Sequence, residues 1–234
     1  MNGDRVEFNF DTCLAEYRRE AECDGRYPRE KSWDYLWDYI QPLATSPYGR
    51  NILVTGERLR LTALHIGFYL ASWGMFRGSG ELYKQNIDFY ELLSQYVFLR
   101  LDPPFWDVRF DRLRTDDNAV GVVNSTLSSL QRFFRGELPQ QDMDLIIGKL
   151  LLGVWGQCPA VDAHFKEGYC CSFPEEKPKL SADFLKSLAI KANYNHWNLT
   201  IARANGMAYP KGKVVDMAFY QFGQKIEKLK ANHG

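Results

Sequence analysis

Apolar positions recur three and four residues apart along almost the whole chain, the spacing of one face of an α-helix. Phe10, Cys13, Leu14 and Tyr17 form the first stripe, with Asp11 as its candidate N-cap. Trp33, Leu36, Trp37 and Ile40 form a second, opened by Pro28 and closed before Pro42. The spacing predicts a third helix over Glu57–Met75, turning Leu59, Leu61, Leu64, Ile66 and Leu70 inward. Arg77-Gly78-Ser79-Gly80 breaks it. Further helices are predicted over 88–99, 118–134, 141–154, 159–166, 181–204 and 212–230, with Asn205-Gly206 dividing the last two. Asp102–Asp107, with Pro103 and Pro104, reads as a connector, and Cys171–Pro178 as an acidic loop. No segment alternates with the period of two that a half-buried strand requires. The fold class expected from the pattern is all-α.

Composition narrows this further. With 234 residues, 45% hydrophobic and 15% aromatic, the chain can bury a substantial core, as one domain or two joined lobes. Basic and acidic residues balance at 29 each. A protein that coats nucleic acid without selectivity is usually basic, so such a role is disfavoured, while a local basic face stays open. The N-terminal segment has no apolar core of the kind that directs secretion, and no apolar run is long enough to span a bilayer. Five cysteines (Cys13, Cys23, Cys158, Cys170, Cys171) cannot all pair, which points to free thiols in a cytoplasmic protein. Cys158, His164, Cys170 and Cys171 are metal-ligand types, but they lack paired C-x-x-C spacing, so no metal and no other cofactor is expected.

The segment LLLGVWGQCPAVDAHFKEG, Leu150 to Gly168, stands apart. An apolar run ends in Gly-Gln-Cys-Pro and then delivers a single carboxylate, Asp162, with His164 and Phe165 behind it. An Asp after a proline is an ordinary N-cap for a short helix, and capping is compatible with chemistry at the same carboxylate.

Read from Arg135, the stretch RGELPQQDMDLIIGKLLLGVWGQCPAVDAHFKEG resembles the core of the helix-hairpin-helix DNA glycosylase superfamily. The matching features are Gly136-Glu137-Leu138-Pro139, Gly148-Lys149, Gly156, Pro159 and Val161-Asp162-Ala163-His164. A weaker similarity covers HIGFYLASWGMFRGSGELY, His65 to Tyr83, which looks like the family's apolar helix ending in a turn that faces DNA. The resemblance implies two helical lobes around a cleft, one formed by about 1–117 with 169–234 and the other by about 118–168. It assigns the catalytic carboxylate to Asp162. Members that also cleave the strand carry a lysine at the start of the buried helix. Lys149 is its nearest counterpart and sits about one helical turn closer to Asp162, so hydrolysis without strand cleavage is the expected activity.

Breaking an N-glycosidic bond passes through a sugar with oxocarbenium character, which a carboxylate stabilises while water attacks. The base must first leave the stack for a pocket of aromatic side chains. Trp73, Trp37 and Trp155, with His164, are the candidate substrate-binding residues, and Arg77, Gly148 and Lys166 the candidate DNA contacts. The expected partner is double-stranded DNA containing a damaged or modified base. Two rivals remain: a helical binding protein on the same fold with catalysis lost, and an unrelated all-α interaction protein in which the Asp162 segment is coincidence.

Overall fold

The computed structural model describes residues 7–22, 28–77, 81–138 and 143–232. Among them, nine α-helices carry the fold: α1 (Phe10–Ala21), α2 (Lys31–Ala44), α3 (Glu57–Ser72), α4 (Ile87–Gln95), α5 (Asp117–Glu137), α6 (Met143–Val154), α7 (Ala163–Ser172), α8 (Ala182–Tyr194) and α9 (Lys211–Asn232). Single turns of tighter helix fill several connections, Pro103–Asp107 among them. No strand forms among the described residues; one antiparallel bridge joins Ala202 and Ala208. No described helix is long and apolar enough to cross a membrane. The family-like stretch Pro139–Asp142, together with Cys23 and Gly78–Gly80, lies outside the described residues.

Several boundaries move for identifiable reasons. Asn9, not Asp11, caps α1, its side chain accepting from Thr12 N at 2.9 Å. Helix α2 runs through Pro42, which sits in its last turn and forgoes the bond an N–H there would make to Asp38 O. Helix α3 buries Thr62, Ala63, Ile66, Tyr69 and Leu70, while Leu61 and Leu64 lie half exposed. The face is set by Thr62, which donates to Leu53 O at 2.6 Å, and by packing of α3 against both α2 and α4. Helix α4 passes into a π-helical turn, Tyr96–Arg100. Helix α8 stops at Tyr194 rather than near 204. His196 adopts φ +53°, and Trp197 N reaches back to Ala192 O at 3.0 Å, which closes the helix end.

The core is organised around α9. Its stretch Gly212–Gly223 is buried, with α1 on one side and α7 on another. Helices α7 and α9 cross at Gly168 and Gly223, where a Cβ on either would collide with the other helix's backbone. This contact places the first turns of α7, and therefore Asp162, against the middle of α9. The expected lobe boundary at 168 falls inside α7.

Candidate active site

Helix α6 ends in Trp155 and Gly156, both of whose N–H groups return to Leu151 O. The chain then runs outside any helix through Pro159 and Ala160 to Asp162, so α7 begins at Ala163 rather than at Pro159. Two side chains hold this connection. Gln157 Oε1 accepts from Phe110 N at 3.0 Å, and Asp216 Oδ1, from α9, accepts from Ala160 N at 2.9 Å. Between them and the cap, Val161 takes φ +52°, a sterically costly region for a β-branched residue, worth about 1–3 kcal/mol.

Asp162 caps α7, its Oδ1 accepting from Phe165 N at 2.9 Å. Its Oδ2 forms an ion pair with Lys149 Nζ, and Lys149 is only 2% exposed. Burial opposes the charge on Asp162. The Lys149 ammonium and then the Phe165 N–H outweigh it, so the carboxyl lies below its ordinary 3.8 and stays anionic at neutral pH. The Lys149 ammonium also sits 4.3 Å from the centre of the Trp73 ring.

Trp73 is shared by two further cations. Arg29 lies 5.4 Å from its ring and donates to Tyr220 Oη; Lys213 lies 5.6 Å from it. Lys213 is buried, donates to Tyr17 Oη at 3.2 Å and faces Asp216 Oδ2 at 3.5 Å. Burial pushes the Lys213 ammonium down against the pull of Asp216, and the nearby Lys149 charge adds to that depression. Tyr69 Oη and Trp73 Nε1 are buried here without a hydrogen-bond partner. The site is thus a buried polar cluster in which Asp162 and Asp216 balance two lysines around one indole.

The structure brings together Asp162, Lys149 and Trp73. His164 stands beside them, 5.1 Å from the Tyr220 ring, but its Nδ1 is turned to Glu227 at 3.3 Å. Trp37 and Trp155 belong elsewhere. Trp37 stacks on Trp33 at 4.9 Å, Trp155 packs on Phe105 at 4.3 Å, and both line a cleft at the C-terminal end of α6. Gly148 lies inside α6, where helix geometry commits its N–H to the carbonyl four residues back, so that N–H does not face outward to a phosphate. Arg77 and Lys166 are exposed.

Sequence reasoning missed Arg29, Tyr220, Tyr17, Tyr69 and the Lys213–Asp216 pair. In the sequence, Lys213 reads as one of a set of lysines, with Lys211, Lys225, Lys228 and Lys230, that is most simply a solvated helix face. The overlooked signal was its company: Lys213 and Asp216 lie three apart and flank or interrupt the apolar run from Val214 to Phe222. Among the described residues, no three His, Cys, Asp or Glu side chains converge to hold a metal. Comparison with protein-family models, with curated proteins and with solved structures gives no match for this chain.

Proposed function

We propose that the chain is a DNA N-glycosylase in which Asp162 stabilises the developing sugar cation and Lys149 fixes and charge-balances that carboxylate. The observation that carries the reading is the Lys149–Asp162 contact. Two residues thirteen apart, both within the segment with glycosylase resemblance, meet at the buried start of α7. The carboxyl is held anionic, as an oxocarbenium partner must be. Trp73 supplies an aromatic surface beside it, and the strained Val161 sits immediately before it, as strain often does at working sites. In this reaction the C1′–N bond breaks, the base leaves with the bonding electrons, and water adds to C1′. That water gives up a proton as the abasic sugar forms, and the departing base anion takes up a proton to leave as the neutral base.

A second reading is favoured by one observation: both oxygens of Asp162 are already engaged, one by Phe165 N and one by Lys149. On that reading the pair is a structural clamp between α6 and α7, on a protein that binds a partner without chemistry. The two separate on a panel of duplexes carrying modified bases, assayed for abasic sites. Base release by the wild type, reduced by orders of magnitude in folded Asp162→Asn, supports the enzyme. Release from no duplex supports the clamp. Borohydride trapping of a protein–DNA adduct through Lys149 would replace hydrolysis by the lyase version.

A further inference from the structure

A second site lies at the C-terminal end of α6, in a cleft of about 260 Å³ between α2, α6 and the segment before α9. Several of its polar groups keep donors with no acceptor. Arg50 stacks on Trp106, 4.7 Å from the ring centre, and makes no ion pair with any described residue. Arg109 also lines the cleft; it spends one N–H on Trp106 O at 3.1 Å and likewise has no carboxylate in ion-pair contact among the described residues. Burial pushes the Arg50 guanidinium down, the nearby Asp107 pulls it up, and Arg109 adds a smaller repulsion. Gln157 uses its oxygen on Phe110 N, so its amide N–H groups remain free to donate. Trp155, 3% exposed, has a buried Nε1 with no acceptor.

Buried Arg203 is matched to Asp34 and Asp38, whereas exposed cations such as Arg77 and Lys166 have no ion pair among the described residues. What distinguishes half-buried Arg50 and exposed Arg109 is that they line one cleft, and two guanidiniums converging there without an ion-paired carboxylate select an anion. The remaining walls include Trp37 and Tyr209, flat aromatic rings suited to a planar ligand. The volume falls just below the about 300–1,000 Å³ typical of ligand clefts, which limits the cleft to one small ligand with its charged group rather than a longer chain.

We infer that this cleft binds a single nucleoside monophosphate, its phosphate on Arg50 and Arg109 and its base against the tryptophans. The site does not depend on the glycosylase reading and shares no residue with the Asp162 cluster.

The test is calorimetric titration of the full chain with AMP and with dTMP, alongside adenosine and inorganic phosphate separately. Saturable binding of a monophosphate is expected, at least tenfold tighter than either fragment and weakened by added salt. Arg50→Gln and Arg109→Gln, each checked for an unchanged circular dichroism spectrum, should each lower affinity about tenfold or more, the loss of roughly one charge-assisted contact. Phosphate binding as tightly as AMP would reduce the site to a simple anion hole and overturn the assignment. No saturable binding of either monophosphate at millimolar concentration would also overturn it, as would full affinity retained in both arginine variants. A short single-stranded oligonucleotide binding through the same arginines while free monophosphates fail would instead assign the cleft to nucleic acid.

Discussion

The carbonyl oxygen of Ala160 lies directly against the Cα of Gly148, so close that no side chain at 148 could coexist with it. This approach lets the Pro159–Asp162 connection lie against α6 and brings Asp162 onto Lys149, the next residue along. Gly148→Ala should therefore destabilise the protein despite alanine's better helix propensity. The expected loss is about 1–3 kcal/mol, the usual cost of overpacking, read as a fall in urea midpoint. An unchanged or raised midpoint would mean the connection can lift off α6 freely.

Lys149 and Asp162 form a buried pair, and each is costly without the other. Asp162→Asn keeps the helix cap, since Asn caps as well as Asp, yet it leaves the Lys149 ammonium uncompensated. A loss of about 3–5 kcal/mol is expected for removing one partner of a buried pair. Adding Lys149→Met should recover a large part of it. Additive losses in the double-mutant cycle would show that the pair has no energetic coupling.

Acid should expose the same pair. A carboxyl held below its ordinary value contributes stability that is fully present above that value and lost as the pH falls through its folded value. The stability difference between the wild type and Asp162→Asn should thus be constant above about pH 5 and shrink below the carboxyl's ordinary 3.8. Urea titrations at a series of pH values read this directly. A difference already gone by about pH 5 would mean that burial outweighs the lysine and raises the carboxyl.

Arg203 anchors the segment between α8 and α9. It is buried, and its fork reaches Asp34 Oδ1 at 2.9 Å and Asp38 Oδ1 at 2.7 Å, both on α2. Lysine keeps the charge but not the fork, so Arg203→Lys should lower stability by about 1.5–3 kcal/mol and quicken proteolytic cutting between 195 and 210. Wild-type cutting rates in the lysine variant would show that charge alone suffices.

If the chain binds DNA, its surface contacts belong to Arg77 and Lys166, both exposed, rather than to Lys149, which is enclosed. Alanine at either should weaken duplex binding at all sequences and flatten its salt dependence by about one phosphate contact each. Binding of the wild type that ignores salt would favour a protein partner over nucleic acid.

The helical register of this chain was legible in its sequence because it is a local property. The stripes at Phe10–Tyr17 and Trp33–Ile40, and the acid placed to cap a helix after Pro159, follow from spacing and cap chemistry within a few residues. Where the register competed with tertiary packing, packing won. Leu61 and Leu64 face outward because Thr62 and Ile66 take the face toward α2 and α4, and α8 ends ten residues early because Trp197 and Arg203 are held elsewhere. The candidate site was half legible. Asp162 and Lys149 lie on one continuous stretch, so their types could be read together. Trp73, Arg29, Tyr17, Lys213 and Asp216 reach them from α3, α1, α9 and the start of α2, across separations that no periodicity encodes. Likewise, which tryptophans meet the carboxylate and which line the arginine cleft depends on where α6 lies among its neighbours. That placement is set by close backbone approaches such as Gly148 on Ala160, which only the folded chain brings about.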